Sequence, residues 1–495
     1  MWDIATKKQD ILQSFFALFG RRHESMSDYY FERRLDRRVV ISIIATGLLT
    51  FTGVCTETAM NVVFPTLMRE FCISTSTVQW VTTVNLLMLA IIIPTSSWLK
   101  KCFRTRILFT VAVLFFAAGT LLGMWSPSFP VLIAGRMLQG IGTGMAMPMM
   151  NNIVIEQVPK GNTATIMGFA TLTIALGPAV GPAIGGAIVS IAGWRMIFAC
   201  LLPFIVISAI GGITCIYQSS AITKQSFDAF GFFMLAICFV CFLMPLSNIT
   251  AWGITNPLVW CMLIFAILVL ILFKGHCDKR QTPLLNLTIL KTQAFTFSLT
   301  ALLLCQFLTL ARGLMIPNFF QQTNGTSVFL SGCIILPACL IGALMNPFSG
   351  KLYDTIGAKL PITLGFTCIL AEVVLELIFM KHVSAYVMMV IAVLYCIGQS
   401  LCTGNTTTYA LRSLPDEKTA DGTAVINTLQ QLFGAIGTAA ASTVVNLGQA
   451  QYPVDLATGT AAGTHWAQLM LVAIACIMMV SALIGLKGIT KMKNA

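Results

Sequence analysis

A few ionisable side chains lie inside runs that are otherwise too apolar to hold a charge. Glu57 stands in FTGVCTETAMNVVFP with Asn61 one helical turn later, and Arg136 opens RMLQGIGTGMAMP with Gln139 and Gly140 beside it. In the second half, Gln306 and Arg312 precede Gln321, and Glu372 and Glu376 stand one turn apart. A carboxyl at membrane depth is costly and faces a cavity or a partner, and it exchanges its proton when its access to water changes. Arg keeps its charge at any ordinary pH and needs a carboxylate, a carbonyl or water nearby. Carboxyls that exchange protons beside fixed cations are the chemistry of proton-coupled carriage. Structural hydrogen bonds and permanent ion pairs are the competing readings, and they stay open for Glu57, Arg136 and Glu372 at this point. Glu376, near Lys381 and His382, is expected to be solvated at an interface, while Arg312 pairing with an acid across helices is left open. The amides of Asn405, Asn427 and Gln430 can line a polar cavity or lock helices together.

These groups need a membrane around them. The chain has 495 residues, 57% of them apolar and 10% charged. Its mean hydropathy is +0.85, more apolar surface than a soluble fold can hide. At about 20 apolar residues per spanning helix, the spans fall near 40–66, 76–99, 106–125, 130–155, 162–189, 195–217, 228–247 and 256–274. Six more fall near 294–320, 327–349, 359–380, 384–410, 419–446 and 465–487, an all-α polytopic protein of fourteen transmembrane helices. The sixteen Cys lie scattered through apolar runs and read as small hydrophobes, and the four His lie at loops or tails. No metal site and no cofactor is expected.

The net charge of +12 is explained by where the charges lie. All thirty Lys and Arg except Arg69, Arg136, Arg195, Arg312 and Lys381 fall in the tails or in loops on one side. The positive-inside rule then puts both termini in the cytoplasm, and the basic balance reports topology, not nucleic-acid binding. Residues 1–38 form a cytoplasmic tail in which Ile11, Leu12, Phe15, Phe16 and Phe19 share a helical face, so an interfacial helix and a flexible tail are both admissible.

The cytoplasmic stretches SSWLKKCFRTR and SGKLYDTIGAKL both follow a Pro-containing span, the trace of an internal repeat. Two equivalent six-helix halves around a central site are a recurrent transporter plan. The expected organisation is a six-helix bundle over 39–220, an inserted two-helix hairpin over 226–275, a second bundle over 292–487 and a tail over 488–495. The hairpin carries no charge at membrane depth and is expected to be peripheral to the pathway.

Gly177, Gly181 and Gly185 recur every four residues in GPAVGPAIGG, with Pro178 and Pro182 at the same step and Gly186 closing the run. A helix places the glycines on one face, where a neighbour can approach backbone to backbone, while each proline removes an amide donor and loosens the helix. The pattern suits two helices that pack closely and move against each other.

GPAVGPAIGG followed by WRMIF resembles the antiporter motif of major facilitator drug/proton exporters, and RMLQGIGTG resembles the motif of their fourth span. SGKLYDTIGAK, with Gly350, Asp354 and Gly357, is similar to their gating-loop motif. PNFFQQTNG and DGTAVINTLQQLFGAIGTA resemble the fourteen-span branch, and TETAMNVVFP its lincomycin-resistance-type subgroup. The first-half loop keeps Leu99 and Arg106 but has Ser97, Lys101 and Cys102 where the family carries Gly, Asp and Arg, which shifts gating toward the Asp354 loop.

The resemblance implies a major facilitator fold in the bacterial plasma membrane and a proton-driven antiporter that expels lipophilic, often cationic, small molecules by alternating access. Glu57, Arg136 and Glu372 would couple protons, and Asn61, Gln139, Gln306, Arg312, Gln321, Asn405, Asn427 and Gln430 are candidates for the substrate cavity. Its partners would be those molecules, H+ and the lipid bilayer; accessory partners are not specified. The alternative on the same fold is a proton-coupled exporter or symporter of one metabolite. No Walker-type GxxxxGK[ST] and no HExxH motif occurs, so the reading is a carrier driven by an ion gradient, not an enzyme.

Overall fold

A computed structural model describes residues 36–158, 163–219, 222, 226–253, 255–280, 284–415, 418–452 and 454–492. The proposed interfacial helix of the first tail lies outside the described residues. The regular structure among the described residues is helical. Helix α1 (Arg37–Phe71) begins where the Asp36 carboxylate accepts the Arg38 amide at 3.0 Å and stops at Cys72, whose φ of 53° turns the chain left-handed.

A single span expected at 76–99 is instead broken. It comprises α2 (Thr75–Val78), α3 (Trp80–Ile92), a 3-10 turn Ile93–Thr95 and α4 (Ser96–Cys102). Pro94 has no amide to continue the α-helical ladder, which accounts for the tight turn. Helices α5 (Thr105–Met124), α6 (Phe129–Gln157), α7 (Thr163–Ala192) and α8 (Arg195–Cys215) complete the first half. Then come α9 (Ala229–Trp252) and α10 (Pro257–Lys279). The second half contains α11 (Gln293–Gln322), α12 (Val328–Cys333), α13 (Leu336–Ile356), α14 (Lys359–Phe379), α15 (Ala385–Arg412), α16 (Thr419–Gln451) and α17 (Leu456–Met492).

Among the described residues, 11 helices are long and apolar enough to cross a membrane. The three other expected spans, near 130–155, 162–189 and 419–446, are α6, α7 and α16, with 29, 30 and 33 residues. Polar and small residues dilute the hydropathy of α6 and α16. The last span, expected to begin at 465, begins nine residues earlier and runs on to Met492, because nothing in ATGTAAGTHW breaks a helix.

Helices α1, α5, α6, α7 and α8 pack on one another, as do α11 and α13 to α17. Leu49, Phe109, Phe116 and Met149 fill the first group, and Phe366, Tyr395, Leu471 and Met478 the second. The two groups meet along three lines: α1 on α11, α3 on α16, and α7 on α12 and α13. The end of the molecule that holds Phe71, Trp194 and Gln449 is here the distal end, and the end that holds Arg37 and Thr105 is the proximal end.

Two expectations need correction. Gly350 and Asp354 are not in a loop: α13 continues through both and is ended only by Gly357 at φ 86°. The side chain of Asp354 is outside the described residues. Leu99 is likewise helical, in α4, and Arg106 lies exposed in the first turn of α5.

The α9–α10 hairpin is not simply peripheral either. It contributes nothing to the central cavity described below, but α9 lies against both α3 and α16. The Gln79 side chain donates to the Ser247 carbonyl at 3.4 Å, and the Thr443 hydroxyl donates to the Leu246 carbonyl at 3.0 Å. Adjacent carbonyls of α9 thus accept from opposite halves.

Candidate functional site

The central cavity has a volume of about 280 Å³ and lies between the halves. Thr58 and Asn61 of α1 and Pro178 and Pro182 of α7 form one wall. Arg312 and Thr309 of α11, Asn346 of α13 and Tyr395 and Gln399 of α15 belong to the other. The lining is mostly apolar with a few polar groups, as suits a small-molecule site.

The glycine face of α7 is seated on α1. A Cβ at Gly177 would lie 2.9 Å from Val54 Cγ1, one at Gly181 2.7 Å from the Cys55 carbonyl oxygen, and one at Gly185 2.8 Å from Ala59 Cβ. These clashes explain why the spacing must be glycine at every fourth residue. Gly186 faces the other way: a Cβ there would meet the Val328 carbonyl oxygen of α12 at 2.6 Å. One helix therefore packs without clearance on its own half and on the opposite half, with its two prolines turned to the cavity.

Glu57 is buried in α1 just before the cavity-lining Thr58. Arg136 is fully buried in α6. Its Nε donates to the Val81 carbonyl at 3.0 Å and its Nη1 to Gln139 Oε1 at 2.7 Å, while Gln139 Nε2 donates to Thr120 Oγ1 at 2.9 Å. Gln139 is thus a brace for Arg136 inside the first half and not part of the cavity lining. Arg136 Nη2 is buried without a hydrogen-bond partner among the described residues. No ion pair within 4.0 Å joins Glu57 and Arg136 among the described residues.

In the second half an acid does meet an arginine. Arg312 Nε lies 3.0 Å from both carboxylate oxygens of Glu376, and Nη2 contacts Oε1 of both Glu376 and Glu372. Gln468 Nε2 of α17 donates to Glu376 Oε2 at 3.2 Å. The guanidinium carbon sits 3.8 Å from the centroid of the Tyr395 ring, a cation–π contact. Tyr395 Oη and Thr309 Oγ1 are 2.8 Å apart, and Gln399 Nε2 donates to Thr309 at 3.1 Å.

Glu372 and Glu376 are both 0% exposed, so the expectation that Glu376 is solvated is wrong. Helix α14 turns it inward onto Arg312 instead of outward toward Lys381. Two carboxylates against one guanidinium leave one uncompensated negative charge if both are ionised, a costly state in so dry a place. Glu372 Oε2, buried and without a hydrogen-bond partner, is the atom with capacity to spare.

The remaining candidates lie apart from the cavity lining. Gln321 Nε2 donates to the Val62 carbonyl at 2.9 Å toward the distal end. Asn405 Nδ2 donates to Ser349 Oγ at 2.9 Å and joins α15 to α13. Gln306, Asn427 and Gln430 are half-buried. At the proximal end Lys100 of α4 forms an ion pair with Glu156 of α6, a helix–helix charge contact made by residues other than the motif positions.

At the distal end, neutral groups tie the halves together. Thr75 Oγ1 donates to Gln449 Oε1 at 2.6 Å, Ser442 Oγ donates to the Thr75 carbonyl at 2.9 Å, and Gln449 Nε2 reaches Gln322 Oε1 at 3.0 Å. Beside them Arg195 and Glu70 pair at 2.7 Å, with Trp194 Nε1 donating to Glu70 at 2.6 Å. Isolated Thr, Ser and Gln carry no sequence signal for such a role, but WR after the glycine run and RE at the end of the first span are complementary in charge.

The Major Facilitator Superfamily model matches residues 46–438. The chain belongs to the Major Facilitator Superfamily. The lincomycin resistance protein LmrB of Bacillus subtilis (strain 168) is 34% identical over 468 residues, covering 92% of this chain and 95% of that protein. LmrB of Listeria monocytogenes is 34% identical over 419 residues, covering 83% and 88%. The multidrug resistance protein Stp of Mycobacterium tuberculosis is 26% identical over 414 residues, covering 83% and 76%. Among solved structures, a bacterial homolog of the human lysosomal transporter Spinster, inward-facing and unoccupied, aligns with a TM-score of 0.64. At 14% identity, covering 92% of this chain and 98% of that one, it shares the fold. This superfamily member is a multi-pass plasma-membrane protein.

Proposed function

We propose that the protein is a proton-coupled multidrug exporter that exchanges H+ for lipophilic or cationic compounds by alternating access. The observation that carries the reading is the Arg312–Glu372–Glu376 cluster at the edge of a largely apolar cavity between the two halves. The names of the LmrB and Stp relatives support export of drugs. In this reading fourteen spans cross the membrane with both termini in the cytoplasm. The bundles of 39–220 and 292–487 rock about the cavity, and the 226–275 hairpin is an insert.

Glu372 holds the exchangeable proton, because its free oxygen can carry one and its loss leaves a charge that a cationic substrate neutralises. Arg312 keeps Glu376 ionised as the fixed partner, with Gln468 as its second donor. Glu57 exchanges a proton in the first half under the field of Arg136, which the Val81 carbonyl and Gln139 hold in place. Asn61, Tyr395 and Gln399 contact the substrate. The Pro182 and Gly186 side of α7, packed on α12, is the surface on which the halves move, while the glycine face fixes α7 on α1. The chain does no covalent chemistry in this scheme.

Everted vesicles given a fluorescent cationic dye in the external medium test it. Dye movement should follow an imposed pH gradient in the wild type, collapse with an uncoupler, and fall at least tenfold in Glu372→Gln and in Arg136→Ala inserted at normal levels. Wild-type rates in both variants would sink the reading. Transport driven by a sodium gradient alone would replace the proton.

A further inference from the structure

Cys339 of α13 and Cys396 of α15 bring their sulfurs within 3.8 Å of each other on the cavity wall. Both are free thiols. Their helices are close-packed there: a Cβ at Gly342 would lie 3.0 Å from Cys396 Cβ, and Ser400 Oγ donates to the Gly342 carbonyl at 2.6 Å. The pair is therefore held at short range by the backbone and not by chance side-chain rotation. The lining puts it in reach of any solute in the cavity. Cys305 on α11 and Cys402, six residues after Cys396 on α15, are buried and do not line it.

Two sulfurs fixed side by side make a chelate for a soft electrophile. Thiolates are the ligands that soft centres prefer, and a single trivalent atom can bridge sulfurs at this separation with little movement. The apolar surroundings favour an electrophile that carries an aryl or alkyl group. We propose that Cys339 and Cys396 form a dithiol site for lipophilic trivalent organoarsenicals. With an arylarsine oxide, two S–As bonds form and the As–O linkage is lost. Both thiol protons leave with that oxygen as water, and no atom is oxidised or reduced. The adduct lies against Arg312 and Tyr395, in the space assigned above to substrate, so this consequence for transport rests on the proposed function. The site itself does not.

Purified full-length protein treated with phenylarsine oxide tests it by intact-mass and peptide mapping. One arsenic per chain is expected at Cys339 and Cys396, resistant to 2-mercaptoethanol and released by dimercaptopropanol. Cys339→Ser and Cys396→Ser should each lose the monothiol-resistant adduct, and Cys305→Ser should keep it. Absence of that adduct from the wild type, or its persistence in Cys396→Ser, overturns the proposal. Dye efflux by the wild-type protein should be lost on treatment and return with dimercaptopropanol. An adduct at the pair with undiminished efflux upholds the dithiol site and counts against the cavity as the transport path.

Discussion

Arg312 Nε is equidistant, at 3.0 Å, from the two carboxylate oxygens of Glu376. That fork-like seating occupies the whole face of one carboxylate and leaves Glu372 with a single contact from the same guanidinium. The two acids, one turn apart on α14, are thus unequal. Glu376 is held by Arg312 and Gln468, while Glu372 keeps an oxygen with no partner among the described residues.

Removing Arg312 should be far worse than removing its partners with it. Arg312→Ala strands two buried carboxyls, and breaking a buried ion pair from one side costs about 3–5 kcal/mol. Adding Glu372→Gln and Glu376→Gln to Arg312→Ala should restore much of the thermal stability measured in detergent, though not the transport. An Arg312→Ala protein as stable as the wild type would contradict the burial of the cluster.

Gly186→Ala should weaken closure of the distal end. The added methyl meets the Val328 carbonyl, and overpacking of this kind typically costs about 1–3 kcal/mol. The strain falls between the halves, so labelling of a reporter cysteine at the buried Val78 of α2 (Val78→Cys) by a membrane-impermeant maleimide should rise severalfold. Gly350→Ala, where a Cβ meets nothing within 4 Å, should leave labelling unchanged.

Gln449→Leu should have a related effect by different chemistry. It keeps the bulk but removes the acceptor of Thr75 and the donor to Gln322. A buried polar group left unpaired costs about 1–3 kcal/mol. Site-directed spin labels on α2 and α16 should report a longer mean separation, and an unchanged distance distribution would argue that Ser442 and Asn446, whose Nδ2 donates to Ser76 Oγ at 3.3 Å, suffice to hold the distal end.

Asp228, which caps α9 just outside its span, should give the hairpin a pH dependence. Burial pushes its carboxyl up. Hydrogen bonds from His276 and the Gly231 amide, with the charges of His276 and Arg280, outweigh that and hold it below the usual carboxylate range. A carboxyl depressed in the folded state stabilises above its unfolded value, about 3.9, and that contribution fades as pH falls through the lower folded value. The stability gap between wild type and Asp228→Asn should therefore close in strong acid. A gap that instead widened in strong acid would refute the assignment.

The glycine face was legible from sequence because a four-residue step is a property of one helix, and α7 uses it against α1 as that step requires. The polytopic all-helical fold was legible for the same reason, since apolar length is local. Glu376 was misjudged because its sequence neighbours Lys381 and His382 lie past the helix end, whereas its actual partner Arg312 is 64 residues away and in register only once α11 and α14 are placed. Gln139 looked like a cavity amide because nothing in α6 shows that Thr120 stands opposite it. The pairing of Lys100 with Glu156 was hidden by expecting the charge at the family's motif positions.

The hairpin carries the broadest consequence. Its bonds to Gln79 and Thr443 cover the seam where α3 meets α16, and neither of those helices contributes to the cavity lining. The lining leans instead to the other seam, through Pro178 and Pro182 of α7 and the run from Ile335 to Asn346. The molecule is therefore lopsided toward the bilayer. The seam under the hairpin is covered, and the cavity is set off-centre toward the seam that α7 forms with α12 and α13.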